Sequence, residues 1–580
     1  MPDIGMRGPV LAAARRAASR EKTGRLYTGG DIWRNSGGDM ASGSAYPIIY
    51  VRGFAAGTSG IDAATDDPFY GFNDGTTHVR VDGDGSPQFY QFEGPLVRLM
   101  EDEDYRVPVH GGQQAYLSRS DDGSQPRASV WIYRFFDPSA DTFGAPAVPY
   151  DLPAAARNLL AFVQLVLDKT DFTDQDAGAP ADKKVWLVAH SMGGLICRSM
   201  IQKVCPDSGI AASDIVGKLF TYATPHNGIV FAGLGLKIPV PEIAPFDAEI
   251  FNPEVMYQYL TPAAVLEQTS DMPEGWDART ITGFDPSRVF CLIGTNAADY
   301  GIISQAVGPK SDGLVQIDNA YVRGASRTFV HRSHSGRYGE VNSEEGYQNL
   351  RRFLFGTRKA TLRLADITLP PSTSPDLVDV WQAEVCVSIR GLPVLIDDQT
   401  AAHYCPVELG TVAGASVPAG APAPSDDVVS PDSGPVDAPG SAPLLTTIFL
   451  LDPAKATQLT REDPQQGAFS PRCRYSLQIK VLHLEEQHGL FVWHDHLEST
   501  AEWQDALVVD VGPGDDGTEH VWAAWETDIS QVTSVPDPIT ATPLTPLAPG
   551  GMSFTIGLPR AGQNLLGGNA AIALDVEMLA

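Results

Sequence analysis

The stretch "KKVWLVAHSMGGLICRSMIQ", residues 183–202, joins two different patterns at a single serine. Apolar β-forming residues run up to His-Ser and two glycines, and apolar residues then recur at helical spacing. We predict a short buried strand, a sharp turn at Ser191 and a helix from Met192 onward. A serine at such a turn is exposed at the carboxyl end of its strand, beside a helix N-terminus that favours negative charge. The alternative is an ordinary strand-helix turn with a capping serine.

Apolar strand patterns alternate with helical patterns through the first 356 residues. The strand patterns lie at 46–54, 128–138, 185–189, 217–226 and 288–295, and the helical patterns at 151–170 and 342–356. Buried strands that alternate with helices are typical of a mostly parallel sheet covered on both faces. The sequence therefore predicts an α/β fold.

A long insert at about 227–287 breaks this alternation. It is rich in proline, alanine and bulky apolar residues. A long insert after a sheet strand favours a lid over the active-site edge. Phe231, Phe246 and Phe251 are its candidate substrate-binding residues.

The character of the chain changes after residue 356. Residues 357–580 show β patterns without a convincing helix, which predicts an all-β domain, in the form of a sandwich. A Pro/Ala/Ser-rich loop interrupts it at 411–443. Residues 1–24 are expected to be a flexible tail and residues 25–356 the α/β domain. We expect the acidic β domain to be loosely attached.

Composition and charge exclude several classes of function. With 43% hydrophobic and 19% charged residues, the composition is that of a globular protein. The net charge is −30, and residues 357–580 hold 29 acidic but only 10 basic residues. Such acidity argues against nucleic acid and anionic membranes as partners. The six cysteines show no C-x-x-C spacing, so neither a disulfide framework nor a zinc site is expected.

The sequence shows neither a transmembrane run nor a signal peptide. No stretch of about 18 apolar residues exists. The N-terminus carries arginines where the apolar part of a signal peptide would lie. We expect a cytoplasmic protein, or a secreted one whose leader is absent.

Serine chemistry requires a histidine to take the hydroxyl proton. Between Ser191 and residue 356 the histidines are His226, His331 and His334. His226 follows the strand next to the serine and favours a structural role. His334 lies in the loop after the last strand, where the base of such a sheet belongs, so we prefer it. His331 remains the alternative because it lies in or beside the strand.

An acid must orient that histidine, and in this arrangement it precedes the histidine in the chain. Asp299, Asp312 and Asp318 qualify by position. Asp312, in "SDGLVQIDNA", comes directly before a glycine and an apolar run, which indicates a tight loop that presents its carboxylate at the sheet edge. We therefore prefer Asp312, with Asp299 as the second choice.

A tetrahedral oxyanion needs backbone N–H donors. Met192, directly after the serine, supplies one of them. Phe54, in the glycine loop after the first strand, is the candidate for the other, since Gly53 gives that backbone freedom to turn. The alternative for this loop is a simple turn.

Four motifs in this order, "VAHSMGG", "TYATPHNG", "SDGLV" and "HSG", resemble the α/β-hydrolase superfamily. The similarity covers roughly residues 46–356. The most similar groups are the lipases with an Ala-x-Ser-x-Gly elbow and the GPI inositol-deacylase-like esterases. The resemblance implies Ser191 as nucleophile, Asp312 as acid, His334 as base, and Phe54 with Met192 as oxyanion donors. It implies no cofactor and says nothing about residues 357–580.

Two positions depart from the family pattern. Ala189 replaces the usual first glycine of the elbow, as in some lipases. Arg52 stands where many lipases have histidine before the oxyanion glycine, which bears on the assignment of Phe54.

A histidine pair in "FVWHDHLEST" raises the question of a metal site. His494 and His496 alternate on one face of a strand pattern, as metal-binding pairs sometimes do. No further ligands stand at recognisable spacing, so we favour an exposed polar edge and expect no metal.

These patterns together predict a serine esterase or lipase that works through an acyl-enzyme, with an ester carrying an apolar acyl or aromatic part as substrate. An amidase or acyltransferase would use the same residues. A different hypothesis is a binding protein on a hydrolase scaffold whose acidic β domain docks a partner.

Overall fold

The computed structural model describes residues 45–53, 79–81, 87–89, 94–108, 113–133, 151–173, 182–230, 248–298, 307–335, 339–372, 377–413, 442–453, 472–487, 500–514, 518–529 and 551–579. Residues Tyr46–Ala580 form one compact unit, to which every element below belongs.

The first half of the chain builds a parallel sheet. The described strands in this part of the chain are β1 (Ile48–Val51), β2 (Val79–Val81), β3 (Pro87–Phe89), β4 (Val130–Tyr133), β5 (Val185–His190), β6 (Val216–Tyr222), β7 (Val289–Gly294) and β8 (Ser326–Val330). Six of them pair in parallel in the order β4-β1-β5-β6-β7-β8, and β2 with β3 forms a separate antiparallel pair. Because parallel strands end at the same edge, the turns after β5, β7 and β8 meet there.

Helices accompany these strands. They are α1 (Gly94–Asp102), α2 (Gln113–Arg119), α3 (Leu152–Lys169), α4 (Met192–Ser199), α5 (Ala212–Ile215), α6 (Pro253–Leu260), α7 (Ala263–Leu266) and α8 (Glu344–Phe355). Helix α3 begins where its sequence predicts, since the Asp151 side chain accepts a hydrogen bond from Ala154 N–H. Ser343 caps α8 in the same way through Gly346 N–H.

The sheet is covered on both faces, because successive residues of a strand point to opposite sides. Leu219 of β6 joins the large core that contains residues of α3 and α4. The next residue, Phe220, faces Phe353 of α8, with ring centroids 6.1 Å apart. Every residue of β5 and β7 is buried, as expected of central parallel strands.

The second half of the chain is built from antiparallel sheets. Its strands are β9 (Arg358–Ala365), β10 (Leu377–Ile389), β11 (Leu395–Gln399), β12 (Val407–Ala413), β13 (Leu444–Leu450), β14 (Cys473–Gln487), β15 (Thr500–Pro513), β16 (Glu519–Trp525), β17 (Gly551–Gly557) and β18 (Ala571–Met578), with short helices α9 (Glu526–Ile529) and α10 (Arg560–Leu566). One sheet has the order β11-β10-β14-β15-β16 with β12 also on β10, and the other has the order β13-β9-β18-β17. Both sheets contribute to one hydrophobic core. The chain is thus an α/β part followed by a β part, as predicted at that level.

The β part packs against the edge of the parallel sheet. Asp397 of β11 accepts a hydrogen bond from the N–H of Phe329 in β8 (2.9 Å). The Phe449 ring of β13 lies edge-on to Phe290 of β7 and Phe353 of α8, at 5.9 and 5.2 Å. The expectation of loose attachment is therefore wrong for the described residues. The acidic composition of residues 357–580 did not indicate this apolar contact.

Among the described residues, no helix combines the length and the apolar character that crossing a membrane requires.

Candidate active site

Ser191 occupies a strained turn between β5 and α4. Its backbone has φ 53° and ψ −129°, a conformation that is costly for any residue with a side chain. Thr224 Oγ1 donates to the Ser191 carbonyl (2.9 Å), and Ser191 N–H donates to the Tyr222 carbonyl (2.8 Å). The neighbouring strand β6 thus holds the turn in place.

Two glycines allow α4 to lie this close to the strands. A Cβ at Gly193 would stand 2.5 Å from the Val51 carbonyl oxygen, and one at Gly194 would stand 2.1 Å from Thr224 Oγ1. Any larger residue would push the helix away from the sheet, so the two glycines follow from the geometry of the turn.

The structure brings Ser191, His334 and Asp312 together. Nε2 of His334 lies 3.0 Å from Oγ of Ser191, and Nδ1 of the same ring lies 2.9 Å from Oδ2 of Asp312. Asp312 is 1% exposed and His334 3% exposed. If the Nδ1 proton is directed at the carboxylate, Nε2 is left to accept the serine hydroxyl. Ser191 and His334 are 143 positions apart in the chain. The three residues meet because the strands that precede them end at one edge of the sheet.

The Asp312 loop after β7 is itself well defined. Oδ1 of Asp312 accepts hydrogen bonds from Leu314 N–H (2.9 Å) and Val315 N–H (2.7 Å), while Gly313 takes a positive φ of 102°. The Asp312 carbonyl also accepts from His334 N–H (2.9 Å). One carboxylate oxygen therefore holds the loop and the other faces the imidazole.

The alternative histidines have different neighbours. The His331 ring stacks on His403 of the β part, with centroids 3.8 Å apart, and burial with the neighbouring His403 lowers the pKa of His331. His226 is fully buried, and its Nε2 lies 3.1 Å from Thr221 Oγ1. Burial, reinforced by Arg198, holds the pKa of His226 well below its usual value, which suits a structural role.

Of the alternative acids, Asp318 lies in a short 3₁₀ turn at Ile317–Asn319, six positions beyond Asp312. Asp299, the second choice from the sequence, lies outside the described residues.

The candidate oxyanion donors are described in part. Met192 is the first residue of α4, so its N–H belongs to the helix N-terminus beside Ser191. Phe54 lies outside the described residues. Gly53 before it is packed tightly, because a Cβ there would stand 2.4 Å from His190 Nδ1.

The predicted lid is also described in part, at 227–230 and 248–287. Phe231 and Phe246 lie outside these ranges. Phe251 is buried in the large core. Ser199 Oγ of α4 donates to the Tyr259 carbonyl of α6 (2.7 Å), so the second part of the insert packs on the helix that follows the serine.

Two buried residues near the site were missed in the sequence. Nε2 of His190 lies 2.9 Å from the His334 carbonyl oxygen, and burial and then the His334 ring hold the pKa of His190 well below its usual value. Glu340 is fully buried, and burial with the nearby Asp312 raises its carboxyl pKa well above its usual value. His190 stands in the quoted motif beside Ser191, whereas nothing in the pattern around Glu340 marks it.

Neither a family model nor a curated protein matches this chain. Among solved structures, the Bacillus licheniformis lipase BlEst2 in its propeptide form is similar at 12% sequence identity and a TM-score of 0.26. That match covers 83% of this chain and 96% of the other chain. So distant a likeness carries no functional argument.

Proposed function

We propose that this chain is a serine hydrolase of the α/β-hydrolase type that cleaves carboxylic esters through an acyl-enzyme. The observation that supports it is the continuous line from Ser191 Oγ through the His334 ring to Asp312, with contacts of 3.0 and 2.9 Å. A hydroxyl, a base and a buried acid in this order are what nucleophilic serine chemistry requires.

In the first half-reaction, Ser191 Oγ attacks the ester carbonyl carbon as its proton passes to Nε2 of His334. The tetrahedral intermediate collapses when the bond to the alcohol oxygen breaks, and His334 returns the proton to that oxygen. The alcohol leaves, and the acyl group stays on Ser191. Asp312 keeps Nδ1 protonated and stabilises the imidazolium that forms between the two proton transfers.

In the second half-reaction, water takes the place of the alcohol. His334 removes a proton from the water as the water oxygen attacks the acyl carbon. The proton then passes to Ser191 Oγ as the bond between Oγ and the acyl carbon breaks. The carboxylic acid is released and the serine is restored.

The negative oxygen of each tetrahedral intermediate needs donors. We assign this role to Met192 N–H, at the start of α4, and to Phe54 N–H. Helix α4 supports the assignment because its N-terminus carries partial positive charge. Removal of one such donor typically costs about 10²–10³ in kcat.

One exposed apolar residue lies beside the loop that carries Asp312. Val230 is 60% exposed, although it is a large apolar residue. Gln316, four positions after Asp312, accepts a hydrogen bond from Val230 N–H (3.2 Å) and holds it beside that loop. We infer that the acyl or aromatic part of the ester contacts this edge.

The test is hydrolysis of p-nitrophenyl esters from acetyl to palmitoyl by the full chain and by Ser191→Ala. Ser208→Ala is the matched control, since Ser208 is exposed and directly follows the short helix Cys205–Asp207. We expect release that depends on Ser191 and is unchanged in the control. Equal rates in the full chain and Ser191→Ala at every acyl length would exclude the proposal.

The same variants distinguish the amidase and acyltransferase alternatives. A matched p-nitroanilide reports amide cleavage, and an added alcohol reports acyl transfer by forming a new ester. We expect the esterase rate to exceed the anilide rate, with free acid as the main product in water.

A further inference from the structure

A second group of potential ligands lies in the β part, away from the serine. Asp379 on β10 and His483 and Glu485 on β14 each offer one donor atom, and these atoms all lie within 4.8 Å of one another. One imidazole nitrogen and two carboxylates form a donor set suited to a divalent transition-metal ion.

The strand register places these residues together. β10 and β14 are antiparallel, with Asp379 directly opposite Glu485 and Trp381 directly opposite His483. Alternate residues of both strands face the core shared by the two sheets, and Trp381 belongs to that core. The three donors therefore lie where the core-facing rows of two long, paired strands approach their ends.

The charges at this point are unbalanced. Two carboxylates directly opposite each other in an antiparallel pair repel. Five residues along the same strands, Glu384 and Lys480 are also opposite each other, but there the charges are complementary and 3.0 Å apart. Among the described residues, no lysine or arginine pairs with Asp379 or Glu485. A bound cation would therefore relieve the repulsion between the two carboxylates.

The two inner donor atoms lie close together without forming a hydrogen bond, at a separation that two zinc ligands can have. Asp379 Oδ1 lies 3.3 Å from His483 Nε2, and within the described part of the chain neither atom has a hydrogen-bond partner. A charge-assisted hydrogen bond would be about 2.7–2.9 Å long. Two ligands at about 2.0–2.1 Å from a tetrahedral Zn²⁺ are separated by about 3.3–3.4 Å.

The inner donors are also held in place. Asp379 is 3% exposed, and its carboxylate is therefore costly to bury without a partner. The His483 ring stacks on Trp381, with centroids 4.5 Å apart and an interplanar angle of 18°. Glu485 is exposed, so its side chain can close over an ion that enters from solvent.

We propose that Asp379, His483 and Glu485 bind a divalent transition-metal ion, with Zn²⁺ as the probe and water completing the coordination. The ion links β10 to β14 and stabilises the β part. The sequence did not suggest this site, because Asp379 lies more than a hundred residues before His483 and Glu485. His494 and His496, which the sequence did suggest, lie outside the described residues.

The experiment uses the full chain, stripped with a chelator, dialysed against Zn²⁺ and desalted before metal analysis. The variants are Asp379→Asn, His483→Gln and Glu485→Gln. Glu384→Gln is the matched control on the same two strands, and a His494→Ala/His496→Ala double variant tests the other histidines. We expect about one zinc per chain and a zinc-dependent rise in Tm in the full chain, the control and the double variant.

Each ligand variant should bind zinc at least about tenfold more weakly and lose the rise in Tm. Because Glu485 is exposed, its variant keeps the test valid if the buried variants do not fold. Zinc content no higher than that of a protein-free blank, zinc binding that Glu485→Gln and His483→Gln leave unchanged, or loss of zinc only in the double variant would each overturn the proposal.

Discussion

Two histidines three positions apart, His331 and His334, show how surroundings separate residues that look alike in sequence. His334 is enclosed between Ser191 and Asp312, while His331 stacks on His403 of the β part. If His334 is the base, only its removal leaves the serine without a proton acceptor.

We therefore predict that His334→Ala lowers kcat on a p-nitrophenyl ester by about 10⁴-fold or more, because the members of such a triad act as a unit. His331→Ala should reduce kcat far less and act through stability. Steady-state kinetics of both variants, with Tm measured alongside, provide the check. The reverse order of effects would make His331 the base.

At this scale the sequence suggested Ser191, Asp312 and His334 but neither His190 nor Glu340. The first three stand at turns whose residue types reveal them. His190 and Glu340 are recognised only by their burial in the structure. Glu340 is fully buried, and His190 is buried with its Nε2 beside the His334 carbonyl oxygen. Burial depends on distant contacts, and no local pattern contains it.

At the scale of elements, the central strands follow closely from their apolar runs. Strand β7 spans Val289–Gly294, within the predicted 288–295, and β5 spans Val185–His190 against the predicted 185–189. The hydrogen bond that links the Asp397 side chain of β11 to the backbone of the outer strand β8 was not predictable. A carboxylate that accepts one backbone N–H across the interface has no sequence signature.

Asp397 should make stability depend on pH. Burial raises its pKa to about 7, although Phe329 N–H, Gln399 and Thr446 all donate to it. An acid whose folded pKa lies above its unfolded value destabilises the fold as pH rises, from the unfolded pKa of about 3.8 to the folded one. The free energy of unfolding lost over this pH range is on the order of 4 kcal/mol.

We predict that the stability of the full chain relative to Asp397→Asn falls between about pH 4 and pH 7 and is constant above that. Urea unfolding followed across this pH range measures it. Asp398→Asn is the matched control with the opposite sign, since the nearby imidazole of His403 lowers the pKa of Asp398 despite its burial. A flat difference between Asp397→Asn and the unmodified chain would show that Asp397 keeps its ordinary pKa.

At the scale of the whole molecule, the two parts share an interface that composition concealed. Phe449 covers Phe290 and Phe353, and the backbone of Phe329 is bonded to Asp397. Removal of residues 357–580 would expose these apolar rings and leave β8 as an uncovered edge strand.

We predict that a 1–356 fragment aggregates or melts at least several degrees below the full chain. Size-exclusion chromatography with thermal unfolding followed by circular dichroism measures both. A monomeric fragment with an unchanged Tm and full esterase rate would show that the α/β part does not depend on the interface.

The central claim, that Ser191 is a nucleophile activated by His334, is tested most directly by intact-mass spectrometry after reaction with a fluorophosphonate probe. We predict one adduct per chain, which digestion locates on the peptide that contains Ser191. The adduct should be absent in Ser191→Ala, and its formation should be strongly slowed in His334→Ala but not in His331→Ala. An unlabelled full chain, or an adduct that persists in Ser191→Ala, would contradict it.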